Sequence, residues 1–562
     1  MVFGLFGKKK AKPRDDEHWR DRIDPAHKEA LEILEASGEV EKLWLMEYHV
    51  SLRFGKMDEA LEVLRGRIVP RLSKETYERL LGAGGSNCWA SAFDLINSGY
   101  VQPLDEGPID RMVIGRIPHP SKPNVFGEIA FSGDGHLLTV APTGAGKSQR
   151  FILPTALDYN GPILIFDPKG EVYKETAWRR SWHGPVFKFA PFDDNGDSDR
   201  FNPLDFVADW DDARVLADLL LNVPEKQDFW DSSARDLVRA LIIYVVKVRP
   251  GGQANIREVL RALSPSVEEF EDMLDAMRTT QEEPLVEMAN ALEQMSEKMR
   301  TSIYQVARTQ LDVWRSQAVE RVTSDTTDGW SPEIIPSSAY FNEQMVNHGF
   351  PLGGKFVEDG LMRGDTPSVY LIIPPDKIAS YRSLLRVMLG MHLNGAIKAN
   401  QGEEDPKPLR PYLFIFDELP QLGYMELIEK AVAIARSANV RLWFFVQDLA
   451  QLRETFSKWE SLLANCKAQI YFRPGDLGTA EYLSRLLGRR KDVLGSDREL
   501  ATPQELMGPD FDGKAILRLA GQKPVKATLP EAFYEDEDTQ DYISTQKVGI
   551  YSVPQRERGE EN

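Results

Sequence analysis

The stretch His136–Leu153, HLLTVAPTGAGKSQRFIL, constrains the fold of this chain more than any other. Its first five residues, His136–Val140, are mostly apolar and predict a short buried strand. A turn containing two glycines follows, and Lys147 with Ser148 then opens a predicted helix. Strand, glycine turn and helix N-terminus in this order predict a phosphate-binding loop, because the loop amides and the helix dipole both favour an anion.

Both the backbone and the side chains of this loop are predicted to bind the nucleotide. Gly144 and Gly146 allow the backbone N–H groups to turn inward around a phosphate. Lys147 is predicted to reach the β- and γ-phosphates of a nucleotide, and the Ser148 hydroxyl to ligate magnesium. Ala141 stands where the strict pattern has its first glycine. The predicted nucleotide-binding residues are Pro142, Thr143, Gly144, Ala145, Gly146, Lys147 and Ser148.

A second stretch far downstream, Tyr412–Glu418 (YLFIFDE), ends in a pair of acids. Its apolar and aromatic run is typical of a strand buried on both faces of a parallel sheet. Two carboxylates at the end of such a strand are costly to bury unless they are paired or bind a cation. We therefore expect Asp417 to hold the magnesium ion and Glu418 to orient and polarise an attacking water. The alternative for an isolated Asp-Glu pair is a strand end that faces solvent.

The composition excludes several classes of protein. A formal charge of −19 over 562 residues argues against a protein that coats nucleic acid with its whole surface, but it permits a ring with a locally basic channel. Only two cysteines, Cys88 and Cys466, are present, which excludes a disulfide scaffold and fits a reducing cytosol. No apolar run approaches the roughly 20 residues of a transmembrane helix.

The pattern along the chain predicts an α/β protein with two helical additions. Strand-like runs alternate with helical runs after residue 118, which is typical of a parallel sheet. The predicted segments are a flexible basic N-terminus (1–23), a helical docking module (24–117), an α/β domain in two parts (118–253 and 322–534), an inserted all-α domain (254–321) and a flexible acidic tail (535–562). The basic N-terminus either touches an anionic membrane weakly or is a plain disordered tail, and the sequence leaves both open.

Two more polar groups follow predicted strands. Asp167 and Lys169 come directly after the strand Pro162–Phe166, at the edge where open α/β sheets bind ligands. They are candidates for residues behind the site or at a subunit interface, and a plain polar loop is the alternative. Gln447 follows the strand Arg441–Val446 and is predicted to sense the γ-phosphate or to position water.

Arg436 is predicted near the end of a helix, Leu427–Ser437, and the sequence offers it no obvious role within its own chain. In a ring ATPase, such an arginine reaches across the subunit interface and stabilises charge on the γ-phosphate of the neighbour. The alternative is an arginine on the surface of a helix.

Four motifs in sequence order carry a resemblance to a known family: APTGAGKS at Ala141–Ser148, DPKGE at Asp167–Glu171, Asp417-Glu418 followed by Gly423, and VQDL at Val446–Leu449. Together they resemble the TraG/VirD-type coupling ATPases of type IV secretion and conjugation systems, relatives of the FtsK/HerA translocases. The likeness covers roughly residues 118–530. It implies a RecA-like P-loop domain that uses ATP and Mg²⁺, a helical insert equivalent to the family's all-α domain, and a homo-hexameric ring.

The resemblance also assigns roles and partners. Residue by residue, Lys147, Ser148, Asp417 and Glu418 match the two ATP motifs of the family, Gln447 matches its third motif and Arg436 matches its interface arginine. The implied function is ATP-driven recruitment of a substrate and its movement into a secretion channel. The implied substrate is single-stranded DNA bound to relaxase, or protein effectors.

One feature departs from the family. Its members usually begin with transmembrane helices, whereas the predicted helical module before residue 118 contains no such run. We therefore expect a cytoplasmic protein that partners hold at the inner face of the bacterial cytoplasmic membrane. Two alternatives stay open: a cargo adaptor that ATP only locks, and an FtsK/HerA-like DNA translocase outside secretion. Glu418, Arg436 and Gln447 together favour hydrolysis, because a locked adaptor does not need all three.

Overall fold

Parallel strands with helices between them make up the larger of two units of the chain. The computed structural model describes residues 25–53, 57–73, 76, 89–101, 112–118, 126–181, 183–221, 229–249, 253–332, 366–399, 411–491 and 497–534. The smaller unit is drawn from residues 1–94 and 473–526, and the larger from 95–472 and 527–562. The predicted domain boundaries differ from this division at 473–526 and stay a prediction. The predicted terminal segments 1–23 and 535–562 lie outside the described residues.

The following strands and helices belong to the described residues. The strands are β1 (Met112–Pro118), β2 (Phe126–Phe131), β3 (His136–Val140), β4 (Ile163–Phe166), β5 (Val186–Phe189), β6 (Ser368–Leu371), β7 (Tyr412–Phe416), β8 (Val440–Val446), β9 (Cys466–Phe472), β10 (Arg489–Lys491), β11 (Asp497–Glu499), β12 (Lys514–Leu519) and β13 (Val525–Thr528). The helices are α1 (Pro25–Ser37), α2 (Lys42–Arg53), α3 (Met57–Val63), α4 (Ala92–Asn97), α5 (Leu153–Asp158), α6 (Glu171–Arg180), α7 (Trp210–Leu220), α8 (Phe229–Val248), α9 (Ile256–Ala262), α10 (Val267–Thr279), α11 (Glu283–Gln294), α12 (Glu297–Leu311), α13 (Gln317–Val322), α14 (Pro375–Ile378), α15 (Arg382–Ala399), α16 (Glu426–Ile434), α17 (Leu449–Thr455), α18 (Trp459–Asn465), α19 (Leu477–Leu487) and α20 (Pro503–Met507).

In the described part of the larger unit, seven parallel strands lie side by side in the order β9-β3-β8-β7-β4-β6-β5. The apolar runs of the sequence are these strands, and every residue of β3, β4, β7 and β8 is buried. β3 pairs with β8 and β9 and not with β4, the next strand along the chain. Such a change of strand order opens a crevice at the carboxyl ends of the strands, where α/β proteins bind ligands.

The helix after the glycine loop begins with a wide turn. A π turn covers Ser148–Ile152, and regular α-helix starts only at α5. The sequence predicts helix from Lys147, and the structure differs because Pro154 has no N–H to donate four residues back. The wide turn places Phe151 in the core, where its ring lies 6.0 Å from that of Trp443 and 5.7 Å from that of Phe472.

Two groups of helices, α1 to α3 and α7 to α13, form all-helical regions. In the smaller unit, α1 begins at Pro25 and ends at Ser37, where Gly38 adopts a φ of 65°. The helices α1, α2 and α3 share a core that includes Leu31, Tyr48 and Ala60. In the larger unit, α7 to α13 follow one another without a strand among the described residues, and α8 packs against α12. Within the part of the chain that the structure describes, no helix is both long enough and apolar enough to cross a membrane.

The packing of Phe151 behind the loop gives a test of the fold. Phe151→Ala should lower the free energy of unfolding by about 3–5 kcal/mol, because it removes a fully buried ring and leaves a cavity. Chemical denaturation followed by tryptophan fluorescence measures this change. The control is Phe229→Ala, whose ring is 57% exposed and whose loss should cost about 0.5 kcal/mol or less. Equal losses in the two variants would contradict the packing described.

Candidate active site

The predicted loop lies at the carboxyl end of β3, beside the end of β8. The Ala141 N–H donates to the Val446 carbonyl at 2.9 Å, so the residue in the place of the first glycine continues the strand pairing. Gly144 and Gly146 have φ values of 76° and 83°, whereas Ala141 is not among the residues with positive φ. The left-handed conformation is therefore needed only at the two glycines that remain, and alanine is tolerated at position 141.

Lys147 lies against both acids of the second stretch. Its Nζ forms an ion pair with Glu418 and lies 3.3 Å from Oδ1 of Asp417. The three side chains are 11%, 15% and 17% exposed for Lys147, Glu418 and Asp417 respectively. The structure thus brings together the two segments that the sequence analysis assigned to one nucleotide site.

Asp417 and Ser148 form the part of this site that suits a cation. The Ser148 hydroxyl donates to Oδ2 of Asp417 at 3.5 Å, the outer limit of a hydrogen bond. Oδ1 of Asp417 is buried and makes no hydrogen bond with described residues beyond its contact with Lys147. Burial raises the pKa of the Asp417 carboxyl, and the charge of Lys147 opposes that rise. A hydroxyl and an underused carboxylate oxygen are ligands that Mg²⁺ prefers.

A magnesium ion at this place would need oxygen atoms from the nucleotide and water as well. Among the described residues there is no group of three His, Cys, Asp or Glu side chains that could hold a metal ion. Proteins usually bind Mg²⁺ through one or two carboxylates together with substrate phosphates and water.

Glu418 adopts an unusual backbone conformation. Its φ and ψ are 61° and 53°, the left-handed region that non-glycine residues seldom enter. Such a conformation costs about 1–3 kcal/mol and is common at functional sites. It directs the carboxylate to Lys147 on one side and to Gln447 on the other, since Gln447 Nε2 donates to Glu418 Oε2 at 2.9 Å.

Gln447 also contacts the phosphate-binding loop. The Thr143 hydroxyl donates to Oε1 of Gln447 at 2.8 Å. Loop, glutamine and glutamate therefore form one hydrogen-bonded chain across the ends of β3, β8 and β7. Sequence reasoning placed Gln447 and Glu418 on adjoining strands but did not predict the link through Thr143, because the side-chain direction of a loop residue leaves no mark in the sequence.

Asp167 lies behind the site at the end of β4, the strand next to β7. Its Oδ2 accepts a hydrogen bond from the Tyr173 N–H at 2.9 Å, which satisfies an amide in the first turn of α6. Burial raises the pKa of its carboxyl to about 6, and the negative charge of Asp417 adds to the rise. Lys169 is exposed and lowers the pKa of Asp417 through its charge. Both residues thus act on the electrostatics of Asp417.

Arg436 does not join the other predicted site residues. It lies in the turn after α16, because the helix ends at Ile434, and its guanidinium bonds to Oδ2 of Asp134 at 2.7 Å. Lys467 binds the other oxygen of Asp134 at 2.5 Å. Asp134 precedes β3 and the loop follows it, so a strand of about 3.3 Å per residue separates Arg436 from the phosphate-binding loop of its own chain.

Sequence reasoning missed one segment that lies against the loop. The Phe533 N–H donates to the carbonyl of Gln149 at 2.8 Å, and the Arg150 guanidinium donates to the carbonyl of Pro530 at 2.5 Å. Both contacts use the backbone of the late segment. No sequence signal marks backbone contacts between residues that lie so far apart in the chain.

Comparisons with known proteins agree with this geometry. The family model described as type IV secretory system conjugative DNA transfer matches residues 102–328 and 354–491. The conjugal transfer protein TraG of Escherichia coli is 26% identical over 489 residues, which cover 78% of this chain and 71% of TraG. Protein VirD4 of Rhizobium radiobacter is 24% identical over 450 residues, which cover 76% of this chain and 57% of VirD4.

Solved structures match the fold. The plasmid coupling protein TrwB in complex with ADP and Mg²⁺ superposes with a TM-score of 0.55 at 18% sequence identity, over 80% of this chain and 94% of TrwB. The α/β fold predicted from the sequence, a RecA-like P-loop domain with helical additions, is confirmed. The family model matches well over half of the chain and contains the loop and both acids. The resemblance that the motifs carry is therefore confirmed, and the chain belongs to the type IV secretory system conjugative DNA transfer family.

Proposed function

We propose that the chain is an ATPase that binds ATP with Mg²⁺ at the carboxyl ends of β3, β7 and β8. It uses hydrolysis to recruit a substrate and move it into a type IV secretion or conjugation channel. The observation that carries the proposal is the convergence of Lys147, Asp417, Glu418 and Gln447 from three separate strand ends. Each has a side chain of the type that phosphoryl transfer needs at that place.

The relatives support the choice of nucleotide and of process. TraG is a conjugal transfer protein, and the VirD4 protein of Bartonella quintana is a type IV secretion system-coupling protein. TrwB has been solved with ADP and Mg²⁺ and with a non-hydrolysable ATP analogue. These properties belong to the relatives, and the site geometry of this chain is the reason to extend them to it.

The proposed roles follow from the contacts of each residue. The loop amides of residues 142–148 cradle the phosphates, and Lys147 leaves Glu418 to contact them. Ser148 and Asp417 would hold Mg²⁺, which would supply positive charge to neutralise the phosphates. Glu418 accepts a proton from the attacking water. Gln447 orients the Glu418 carboxylate by donating a hydrogen bond to it, and a second bond, from Thr143, fixes Gln447 to the loop.

The Gln447 network favours hydrolysis over a locked adaptor. A device that only retains ATP needs the loop, Lys147 and a magnesium ligand. It does not need a glutamate in a strained conformation whose carboxylate is held by a glutamine that also contacts the loop. Strain of this kind persists where it serves the chemistry, so we assign Glu418 to turnover.

The finer parts of the proposal rest on family membership. The cargo is single-stranded DNA with its relaxase, or protein effectors. The active form is a homo-hexamer, and secretion-channel or inner-membrane partners hold it at the membrane. The proposed role of Arg436 also rests on family membership. To stabilise charge on the γ-phosphate of a neighbouring subunit, Arg436 would have to release its ion pair with Asp134.

Removal of the Lys147 ammonium should weaken binding of the nucleotide. Lys147→Ala should raise the Kd for MgATP about 10- to 100-fold, because charge-assisted hydrogen bonds worth about 1.5–3 kcal/mol are lost. Titration with a fluorescent ATP analogue measures the Kd. The matched control is Lys430→Ala, an exposed lysine that pairs with Glu426 on the surface of α16. An unchanged Kd in Lys147→Ala would contradict the assignment of the loop.

The second prediction separates binding from turnover. Glu418→Gln should keep or improve MgATP affinity, since it removes the carboxylate that holds Lys147, and should lower kcat about 10²- to 10⁴-fold. Phosphate release and ATP titration on the same preparation give both numbers. Glu426→Gln makes the same chemical change on an exposed side chain and should leave both unchanged. A Glu418→Gln enzyme with normal turnover would exclude Glu418 as the base.

The third prediction concerns Arg436. Arg436→Ala should lose about 10³-fold or more of ATPase activity, as expected for an arginine that contacts the γ-phosphate from a neighbouring subunit. Mixing it with Lys147→Ala protein should restore part of the activity, because some interfaces then combine an intact loop with an intact arginine. Activity is measured across mixing ratios.

A control decides whether Arg436 acts only through its ion pair. Asp134→Asn breaks the exposed pair but leaves the arginine in place, and such pairs contribute about 0–1 kcal/mol. Asp134→Asn should therefore stay active. Inactivity of Asp134→Asn together with failure of every mixture would show that Arg436 has a structural role only.

A further inference from the structure

The late segment Pro530–Tyr534 is fastened to the residues that follow the phosphate-binding loop. Phe533 donates its N–H to Gln149 at 2.8 Å, and Arg150 donates to the Pro530 carbonyl at 2.5 Å. Phe533 is buried, with 8% of its surface exposed, so its ring anchors the segment. Glu531 adds an ion pair with Arg116 on β1. Backbone, ring and charge thus fix the segment at three points.

Arg150 connects this segment to the loop itself. A β-carbon built on Gly146 would lie 3.4 Å from Nε of Arg150, so the arginine side chain runs directly past the loop glycine. The same guanidinium donates to Pro530. The segment therefore borders the loop at Gly146 and at residues 149–150.

The positions of Glu418 and Gln447 indicate on which side of the loop the γ-phosphate of a bound nucleotide would lie, and therefore on which side its nucleoside would lie. Glu418 and Gln447 lie at the ends of β7 and β8, and Lys147 lies against Glu418, so these residues define where the γ-phosphate is transferred. The loop amides hold the phosphates before it in the chain of the nucleotide. A ribose and base on the side of the phosphates away from Glu418 would then lie toward residues 149–150, where the segment contacts the chain.

Tyr534 is the aromatic residue at this border. It is 64% exposed, whereas Phe533 beside it is buried. Because the backbone beside Tyr534 is already fixed by Phe533, a ligand that stacks on the Tyr534 ring loses little of the ring's conformational entropy. Aromatic rings bind nucleobases by stacking, with little dependence on which base is present.

We propose that Tyr534 stacks on the base of the bound nucleotide, and that Arg150 and Phe533 are positioning residues that hold it there. The inference rests on the proposed ATPase function and adds a nucleoside subsite to it. The ligand class is the nucleobase of a nucleoside triphosphate, and recognition is by stacking and not by hydrogen bonds to the base edge.

The test compares two ligands that differ only in the nucleoside. Tyr534→Ala should raise the Kd for MgATP about tenfold, which corresponds to about 1.4 kcal/mol. The Kd for magnesium tripolyphosphate, which has no base, should stay unchanged. Tyr534→Phe keeps the ring and should bind both ligands as the wild type does. Phe229→Ala removes another exposed ring and should change neither Kd. Calorimetry or competition against a fluorescent nucleotide gives each Kd.

The outcomes separate this inference from the proposed function. An unchanged MgATP affinity in Tyr534→Ala would overturn the stacking role. An equal loss for ATP and tripolyphosphate would overturn it too, because it would mean that the loop had moved. Wild-type protein that binds neither ligand would refute the ATPase proposal and this inference with it. Circular dichroism and thermal unfolding confirm that Tyr534→Ala is folded, as an exposed position predicts.

Discussion

The site depends on a cluster of largely buried charges in which carboxylates outnumber the lysine. Lys147 is in contact with Asp417 and Glu418, and Asp167 lies behind them. Burying ions is costly unless partners satisfy them, and one ammonium cannot neutralise two carboxylates. Burial raises the pKa of both Asp417 and Asp167, and the negative charge of a neighbouring carboxylate adds to each rise. A divalent cation beside Asp417 would offset the carboxylate charge that Lys147 alone does not neutralise.

The same cluster sets up a competition. In the proposed reaction, a phosphate that contacts Lys147 would displace Glu418, and the freed carboxylate would then be available to water. Gln447 would keep Glu418 in place during this exchange, because its amide donates to the second carboxylate oxygen. The left-handed backbone conformation of Glu418 also positions its carboxylate between Lys147 and Gln447. In the proposed function, nucleotide binding and activation of water are therefore coupled through Glu418.

Much of this arrangement could be predicted from the sequence, because it depends on strand ends. Apolar runs predicted the strands β3, β7 and β8. Parallel strands place their carboxyl ends at one edge of a sheet, so Lys147, Asp417 and Gln447, which follow these strands, were expected at that edge. Two backbone features could not be predicted. The positive φ of Glu418 accompanies its contacts with Lys147 and Gln447, and the π turn over Ser148–Ile152 precedes Pro154, which has no N–H to donate.

The other gaps have different physical causes. Arg436 was predicted from family likeness to act between subunits, and a single chain shows only its ion pair with Asp134 at the far end of β3. The contact between Phe533 and Gln149 joins two backbones, and backbone groups are alike in every residue, so no sequence pattern records it. Patterns of side-chain type predict strands and charges well, but they do not predict which loop lies on which.

The central claim is that the loop after β3 and the acids after β7 share one nucleotide and its metal. A structure of the chain with a non-hydrolysable ATP analogue and Mg²⁺ tests it most directly. The account predicts that Nζ of Lys147 moves from Glu418 to the phosphates, that the metal lies between Ser148 and Asp417, and that Glu418 stays hydrogen-bonded to Gln447. A nucleotide bound elsewhere, or one bound at the loop while Lys147 remains paired with Glu418 and no metal contacts Asp417, would contradict it.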